Sequence, residues 1–308
     1  SCADCGLCRA NCVTDQPLPD AITAARAEVT ALQLAPRVVY QVGEMLKQYE
    51  NPYVESVPEA VHSTGTVALF VGDEAAHRWP QVIRAARTLL HAADVNAVEI
   101  GVGRNNGYLA SSLGFPETAR SLAQATLDEL LESGASKLLV LSPGDYFAFN
   151  QHLIERLGLR WPEEVELIEL TTYLHDLLNA GRLRFTPLED TTPYAYVDPA
   201  HAVRVPAGRS TARAILMAVL PIPGQELFWR EERAHPVGST ALQFTQPDIA
   251  DHLTLAKLDD ILKSGARVAI TEDAGTLYQL NRHAARFGVR VQGLYELLAE
   301  QISKVPNQ

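Results

Sequence analysis

Short apolar runs alternate with longer amphipathic segments over most of the chain. Val67–Val71 is an apolar run ended by Gly72, and Trp79–Ala93 has the periodicity of a helix. The same alternation continues with an apolar run, a helical pattern and another apolar run at Val95–Ile100, Pro116–Ser133 and Lys137–Leu141. Short buried strands between helices indicate a parallel sheet covered by helices on both faces. The pattern therefore predicts an α/β fold.

Residues 1–62 lack this alternation. One helix is predicted to be capped by Asp20 and to run toward Pro36, and a second is predicted to end near Asn51. The stretch from Glu55 to Gly65 has the composition of a linker. The first 62 residues are thus predicted to form a helical segment that precedes the α/β region.

The α/β region repeats itself. Two tripeptides that flank a predicted strand recur at an offset of 131 residues: Ser133-Gly-Ala135 recurs as Ser264-Gly-Ala266, and Asn150-Gln-His152 recurs as Asn281-Arg-His283. A Leu-rich helical segment, Leu174–Leu178, also recurs as Leu294–Leu298. The repeat predicts two tandem Rossmann-like lobes with parallel sheets, at residues 63–188 and 189–308. A cleft between the lobes is the expected place for a ligand or partner.

Composition and charge narrow the class of protein. The chain has 308 residues, of which 47% are hydrophobic and 20% charged, and this excludes disordered and fibrous classes. The formal net charge of −11 and the lack of a basic cluster exclude nucleic acid as a partner. No apolar stretch approaches the ~20 residues of a membrane span. We expect a cytoplasmic protein with no transmembrane segment of its own, and peripheral docking to a membrane complex stays open.

All four cysteines lie within the first twelve residues, at Cys2, Cys5, Cys8 and Cys12. Disulfides this close in sequence would close very small loops, and zinc sites generally use two cysteine pairs with a long spacer. The C-x2-C-x2-C-x3-C spacing is instead that of bacterial [4Fe-4S] ferredoxins. We predict that the four thiolates bind one [4Fe-4S] cluster; zinc and a redox-inert thiol cluster remain the alternatives.

The position after Cys12 departs from the ferredoxin pattern. In two-cluster ferredoxins the fourth cysteine of the run ligates the other cluster and precedes a proline, whereas Val13 follows here. Two interpretations remain open. Either Cys12 completes this cluster, or its partner motif lies on other residues or on another chain.

Four short motifs accompany the cysteine run: Glu50-Asn-Pro-Tyr53, Val98–Arg104 with Tyr108 and Leu113-Gly114, Ser142–Tyr146, and Asp198-Pro-Ala-His201. Together with the cysteine run, they resemble the motifs of the iron-sulfur proteins with duplicated cysteine-rich (CCG) domains. Members of this family include the heterodisulfide reductase catalytic subunit, the C subunit of anaerobic glycerol-3-phosphate dehydrogenase and the lactate- and glycolate-oxidation iron-sulfur subunits. The resemblance implies an electron-transfer subunit of a multi-subunit oxidoreductase. Its partners would be flavoprotein, iron-sulfur or quinone-linked subunits.

In that family each lobe also carries a Cys-Cys-Gly element and single cysteines that bind a further iron-sulfur centre. The resemblance places other residues at these positions: Gly101-Val-Gly103, Asp73, Asp145, Ala200, Pro236-Val-Gly238 and Thr271–Thr276. Glycine, valine and alanine cannot ligate iron, and carboxylates are hard ligands that suit iron-sulfur clusters poorly. We expect a degenerate CCG domain that serves as a docking scaffold, with no catalytic residues of its own.

Other signals have competing interpretations. Gly101, Gly103 and Gly107 imitate a dinucleotide fingerprint, but their spacing favours close packing. His152, His201 and His283 are expected to be structural, with His152 and His283 early in helices, although His201 could line the cleft. Asp73, Asp145, Asp198 and Asp273 follow predicted strands, where either a divalent cation or solvent is expected. The segment around Trp229 predicts either a protein contact or a strand edge.

Three functional hypotheses follow. The first is an electron-transfer subunit, and the second is a structural or assembly subunit whose cluster does not turn over. The third is an enzyme that acts on a small anion or nucleotide in the cleft, for which the sequence offers no pair of nucleophile and base.

Overall fold

The computed structural model describes residues 2–55, 63–199, 201–202 and 209–303. Helices and strands alternate from residue 67 onward, as predicted. The helices are α1 Leu7–Ala10, α2 Leu18–Ala31, α3 Arg37–Tyr49, α4 Asp73–Arg78, α5 Gln81–Ala92, α6 Tyr108–Leu113, α7 Pro116–Ser133, α8 Pro143–Phe149, α9 Gln151–Arg156, α10 Leu170–Asn179, α11 Arg209–Val219, α12 Leu242–Thr245, α13 Pro247–Lys263, α14 Ala274–Ala284 and α15 Leu294–Glu300. The strands are β1 Val67–Gly72, β2 Ala97–Val102, β3 Lys137–Val140, β4 Glu166–Glu169, β5 Tyr194–Tyr196, β6 Val268–Thr271 and β7 Arg290–Gly293.

Two parallel sheets confirm the predicted α/β class. The first has the order β2-β1-β3-β4 and the second the order β5-β6-β7. Every residue of β1 is buried, which explains its unbroken apolar sequence. Because all pairs are parallel, the carboxyl ends of neighbouring strands lie at one edge of each sheet.

The second sheet repeats part of the first. Strands β3 and β6 begin at Lys137 and Val268, which is the offset predicted from the sequence. The connection from β6 to β7 is shorter than that from β3 to β4, so the offset changes farther along the chain. Leu294 and Leu170 each begin the helix that follows the last strand. The predicted pairing of Leu294 with Leu174 is therefore wrong by one helical turn.

One hydrophobic cluster contains residues from both sheets. Leu69 and Leu174 from the first half pack in the same cluster as Ile270 and Tyr295 from the second. Tyr295 is fully buried; its hydroxyl donates to the carbonyl oxygen of Leu141 at 2.9 Å and lies 2.9 Å from the hydroxyl of Thr171. Helix α15 packs on α5, and α10 packs on α11, so the last helix of each lobe packs against a helix of the other lobe. The lobe boundaries near residues 62 and 188 stay predictions.

The N-terminal helices rest on the first lobe. The hydroxyl of Thr30 on α2 donates to the carbonyl oxygen of Leu113 at 3.2 Å. Helix α2 begins at Leu18, so the prediction that Asp20 caps it is wrong. Asp20 lies in the first turn and accepts a hydrogen bond from the guanidinium of Arg156 at 2.6 Å. Within the described ranges, no helix is both long and apolar enough to traverse a bilayer.

Gly238 lies where the backbone excludes a side chain. Its φ is +94°, and a Cβ would lie 2.5 Å from the carbonyl oxygen of Ala250. Gly238→Ala is expected to lower the free energy of unfolding by about 2–4 kcal/mol, because left-handed strain and a backbone clash add. Gly134 has φ +69°, but a Cβ there would meet no atom within 4 Å, so Gly134→Ala should cost only about 1 kcal/mol of strain. Urea unfolding measures both, and equal losses would contradict the packing argument.

Candidate functional site

The cysteine segment, residues 2–12, is a tight turn followed by one short helix. Gly6 has φ +83° and precedes α1. The backbone N–H of Asp4 donates to the Sγ of Cys2 at 3.3 Å, and the hydroxyl of Thr14 lies 3.3 Å from the Sγ of Cys12. The hydrogen bond from Thr14, followed by bonds from nearby backbone N–H groups, lowers the pKa of the Cys12 thiol. Such hydrogen bonds favour the thiolate, which is the form that binds iron.

The donor set of this segment fits a [4Fe-4S] cluster. Four cysteines at the ferredoxin spacing are present, and none is in a disulfide. Two of their sulfurs already have polar neighbours of the kind that tune iron-sulfur centres. In the part of the chain that the structure describes, no three His, Cys, Asp or Glu side chains are grouped so that they could hold a metal ion.

Contacts with both lobes hold the cysteine segment in place. The guanidinium of Arg26 donates to the carbonyl oxygens of Cys2 and Ser112, at 3.0 and 2.8 Å. The hydroxyl of Tyr108, at the start of α6, donates to the Oδ2 of Asp4 at 2.6 Å. Helix α1 also lies next to the 3₁₀ turn Glu231–Arg233 of the second lobe. The segment therefore sits where the two lobes meet.

A cavity of about 90 Å³, here called the inter-lobe pocket, lies beside the cysteine segment. It opens at the carboxyl ends of β1, β3 and β6, and both lobes line it. This is the edge of an open α/β sheet where ligands generally bind. Tyr108 lines the pocket and also binds Asp4, so one side chain links the pocket to the cysteine segment.

Three of the four aspartates predicted at strand ends meet in the inter-lobe pocket. Asp73 follows β1, Asp145 lies in the first turn of α8, and Asp273 caps α14 through the backbone N–H of Thr276. Asp198 is the exception. Its buried carboxylate binds the guanidinium of Arg213 through both oxygens, at 3.0 and 2.8 Å.

Sequence reasoning missed a fourth carboxylate in the pocket, that of Glu74. Its Oε1 accepts a hydrogen bond from the side-chain amide of Gln243, on the second lobe, at 3.0 Å. The signal was the Asp73-Glu74 pair directly after a buried strand. Both residues lie in the first turn of α4, and both line the pocket.

Neutral donors satisfy the pocket carboxylates. The amides of Asn105 and Asn106 donate to Asp73 and Asp145 at 3.0 and 2.9 Å. The hydroxyl of Ser142 donates to Asp145 at 3.0 Å. No lysine or arginine is among the described residues that line the pocket. Its carboxylates are therefore hydrogen-bonded but are not neutralised by side-chain cations in its wall.

Burial makes these carboxylates weak acids. It raises the pKa of Asp145 to about 7, a rise that hydrogen bonds from Asn106 and Ser142 oppose and that the charges of Asp273 and Asp73 increase. Burial, and then repulsion from Asp273 and Asp73, raises the pKa of Glu74 well above its ordinary value. The charges of Asp73 and Asp273 thus act on both Asp145 and Glu74. A positive charge in the pocket would relieve this repulsion.

Two further buried carboxylates lie outside the pocket wall. Burial raises the pKa of Glu169 to about 7 and that of Glu272 to about 8. The hydroxyl of Tyr196 donates to the carboxylate of Glu272 and lies 2.8 and 2.9 Å from its two oxygens. The Oε1 of Glu169 is buried and has no hydrogen-bond partner within the described ranges.

The histidines take different places. His201 lines the inter-lobe pocket, as the sequence allowed, with its ring parallel to that of Phe147 at 6.1 Å. His283 lies in the last turn of α14, so the prediction that it comes early in a helix is wrong; its Nε2 is 3.2 Å from the Oδ1 of Asp251. The side chain of His152 lies outside the described residues.

The glycines of the imitation fingerprint serve close packing, as expected. Gly101 and Gly107 have φ of +59° and +87°. A side chain at Gly101 would collide with Phe70, and one at Gly107 would lie 2.6 Å from the carbonyl oxygen of Ala119. The backbone N–H of Gly101 donates to the carboxylate of Glu129 at 2.8 Å, so a residue of the protein already uses it.

The segment around Trp229 is not a strand edge, and that alternative is wrong. It consists of bends followed by the 3₁₀ turn Glu231–Arg233. Its backbone N–H groups at Phe228 and Trp229 donate to the carboxylate of Asp260. Phe228 and Trp229 are 60% and 41% exposed, next to the turn that contacts α1. The alternative of a protein contact stays a prediction.

Two parallel sheets with helices between their strands define an α/β protein with Rossmann-like lobes. No protein-family model matches the chain. The chain is a distant homologue of the D subunit of the dihydromethanophenazine:CoB–CoM heterodisulfide reductase of Methanosarcina barkeri. It is 22% identical over an alignment of 321 residues that covers 98% of this chain and 77% of that protein.

A solved structure shares the fold. The chain superimposes on a hypothetical protein from Helicobacter pylori with a TM-score of 0.66 and 13% identity, over 93% of this chain. The match spans 59% of the length of the Helicobacter protein. At this identity the likeness shows the fold alone.

Proposed function

We propose that the chain is the iron-sulfur electron-transfer subunit of a multi-subunit oxidoreductase. The similarity to a heterodisulfide reductase subunit, along nearly the whole chain, supports an iron-sulfur oxidoreductase class. The observation that carries the proposal is the spacing of Cys2, Cys5, Cys8 and Cys12. When bound there, a [4Fe-4S] cluster supplies transfer of single electrons.

The chain's own residues hold and orient the cysteine segment. Gly6 permits the left-handed turn that the segment needs, and Arg26 anchors the carbonyl oxygen of Cys2 to the first lobe. The backbone N–H of Asp4 and the hydroxyl of Thr14 place positive dipoles beside two of the sulfurs. Such dipoles raise the reduction potential of a centre, since they stabilise its extra negative charge. Cys8 is exposed and gives a partner access to the segment.

Exposed apolar side chains support a partner near the cysteine segment. Five of them lie within residues 13–34 and are between 41% and 100% exposed: Val13, Leu18, Val29, Leu32 and Leu34. Phe228 and Trp229 add an exposed aromatic pair beside α1. Apolar groups that recur in one region mark interaction surfaces more often than single exposed residues do. The proposed partner is a flavoprotein, an iron-sulfur protein or a quinone-linked subunit.

Anaerobic reconstitution tests the cluster. The chain is incubated with iron, sulfide and a thiol reductant and then analysed for metal content. We expect about four iron and four sulfide per chain and an electron paramagnetic resonance signal on reduction. Cys5→Ser should lose most of the iron. Val13→Ser places a serine at a fully exposed position in the same segment and should keep it. Zinc in place of iron, or less than one cluster per chain, would refute the proposal.

A structural role is the second candidate, because Arg26 and Tyr108 attach the cysteine segment to the body of the protein. In that case the cluster holds the cysteine segment in place and is not oxidised or reduced during the reaction. Cys5→Ser in the intact complex separates the two roles. If the variant complex assembles but transfers electrons more slowly than the wild type, the cluster takes part in electron transfer. If fewer complexes assemble, and those that do assemble transfer electrons at the wild-type rate, the cluster has a structural role.

A further inference from the structure

The inter-lobe pocket has features that electron transfer through the cysteine segment does not use. Its volume of about 90 Å³ gives room for a ligand of several non-hydrogen atoms, since about 10–15 Å³ on this measure holds one water. Both lobes line it, and their shared hydrophobic core fixes the walls relative to each other. The pocket is therefore preformed.

The ionisable groups of the pocket favour a cation as its ligand, because a positive charge would promote their ionisation. Asp73, Glu74, Asp145 and Asp273 all line it, and its described wall contains no lysine or arginine. Two backbone N–H groups at helix starts are already taken: that of Thr276 by Asp273, and that of Asp145 by the hydroxyl of Ser142. An anion would meet four carboxylates and few free donors. The third hypothesis from the sequence, chemistry on a small anion or nucleotide, is disfavoured by this arrangement.

Tyr53 supplies an independent indication of a ligand. It lines the pocket, and its hydroxyl is buried without a hydrogen-bond partner within the described ranges. Burial, followed by the charges of Glu74 and Asp73, raises the pKa of this phenol, and Arg78, which packs on the face of the ring, opposes the rise. A buried hydroxyl without a partner costs about 1–3 kcal/mol in folding unless something in the pocket binds it. A ligand N–H group is a suitable partner.

The walls fit an organic cation better than a metal ion. In the described ranges no three His, Cys, Asp or Glu side chains are grouped to hold a metal. Metal ions such as Ca²⁺ require six or more oxygen ligands at short distances, whereas the pocket carboxylates are already bound to the side chains of Asn105, Asn106 and Gln243. Tyr108 and Phe244 add aromatic rings to the wall. Carboxylates together with aromatic rings are the surroundings that organic ammonium groups prefer.

We propose that the inter-lobe pocket binds a small organic cation with an ammonium group, held by Asp73, Glu74 and Asp145 and by the hydroxyl of Tyr53. This inference goes beyond the proposed electron-transfer function and does not require a bound cluster. The raised pKa values of Asp145 and Glu74 agree with it, because a bound cation would offset the repulsion that contributes to them.

The first test compares ligands of similar size and opposite charge on the wild-type chain. Ethanolamine and glycolate are titrated in separate experiments and followed by thermal unfolding. Ethanolamine should raise the melting temperature by about 2–4 °C or more at saturation, in a concentration-dependent way. Glycolate should not. A rise with glycolate alone, or with neither compound, would overturn the proposal.

Variants locate the site. Glu74→Gln keeps the shape of the side chain and its hydrogen bond with Gln243 but removes a carboxyl group that a bound cation would ionise, and it should weaken ethanolamine binding at least tenfold by calorimetry. Glu169→Gln removes a buried carboxylate that does not line the pocket, so the variant should bind ethanolamine as the wild type does. Equal loss in both variants would contradict a site in the pocket.

A third test measures whether the pocket binds Mn²⁺. Its paramagnetic signal reports direct coordination without any dependence on enzyme activity. Tight stoichiometric Mn²⁺ binding that Glu74→Gln abolishes, with no response to ethanolamine, would assign the pocket to a metal and overturn the proposal. Failure of this proposal leaves cluster reconstitution unaffected, because the cysteine segment contributes no side chain to the pocket wall.

Discussion

Arg213→Met is expected to lower the free energy of unfolding by about 3–5 kcal/mol, because it leaves a buried carboxylate without its counter-ion. The side chain of Asp198 is fully buried, and its two oxygens bind the guanidinium of Arg213 at 3.0 and 2.8 Å. The Oδ2 also accepts the backbone N–H of Glu231 at 3.1 Å. The pair thus joins the end of β5 to α11 and to the turn beside the cysteine segment.

Urea unfolding measures this loss, and two further variants control it. Arg290→Met removes an exposed ion pair with Asp190 at 3.5 Å and should cost no more than about 1 kcal/mol. Adding Asp198→Asn to Arg213→Met removes the unpaired charge, so the double variant should be more stable than Arg213→Met alone. Similar losses for Arg213→Met and Arg290→Met would show that the buried pair contributes little.

The second large effect is on pH dependence: the protein should lose stability as pH rises from about 5 to 8. Burial raises the pKa values of Asp145 and Glu169 to about 7 and that of Glu272 to about 8, from ordinary values of 3.8, 4.5 and 4.5. Between the ordinary and the raised pKa, the folded state binds more protons than the unfolded state. The free energy of unfolding therefore decreases with pH in this window, by about 3–5 kcal/mol from Glu272 alone.

Replacing the buried carboxyl groups by amides of the same shape tests whether they cause this decrease of unfolding free energy with pH. Glu169→Gln and Glu272→Gln should each flatten the decline of unfolding free energy between pH 5 and 8, measured by urea unfolding at several pH values. Glu164→Gln, at an exposed position close to Glu169, should leave it unchanged. Above pH 8 the buried Lys257, whose pKa burial lowers to about 8, acts in the opposite direction. A stability that rises from pH 5 to 8 would refute the assignment.

Much of the fold was predictable because local signals agree with the tertiary structure. Helix α7 has the predicted ends, since Pro116 suits the first turn of a helix and Gly134 adopts the left-handed conformation that ends one. Strand β1 is buried on both faces, so its apolar run has no competing interpretation. The strand repeat was visible because β3 and β6 carry the same flanking residues.

The composition of the pocket was less predictable, because it depends on which strands are neighbours. Asp73 and Asp145 approach each other since β1 and β3 pair, and Asp273 joins them since the two lobes face each other. Neither fact has a local sequence signal. Asp198 gave the same signal as the other three aspartates, yet Arg213 on α11 binds it away from the pocket. A strand-end position thus predicts a functional location but not the partner of the side chain.

The phenol of Tyr295 restricts how this protein can move. It belongs to the second lobe, yet its hydroxyl is bound to Leu141 in the first, at a place that water does not reach. Swinging the lobes apart would break that bond and leave a void, so hinge opening of the kind found in many two-lobed binding proteins is disfavoured. A ligand must then enter the pocket while the lobes stay together. Tyr108 lines the pocket and its hydroxyl binds Asp4, so a ligand that displaces this ring would disturb the turn that carries Asp4.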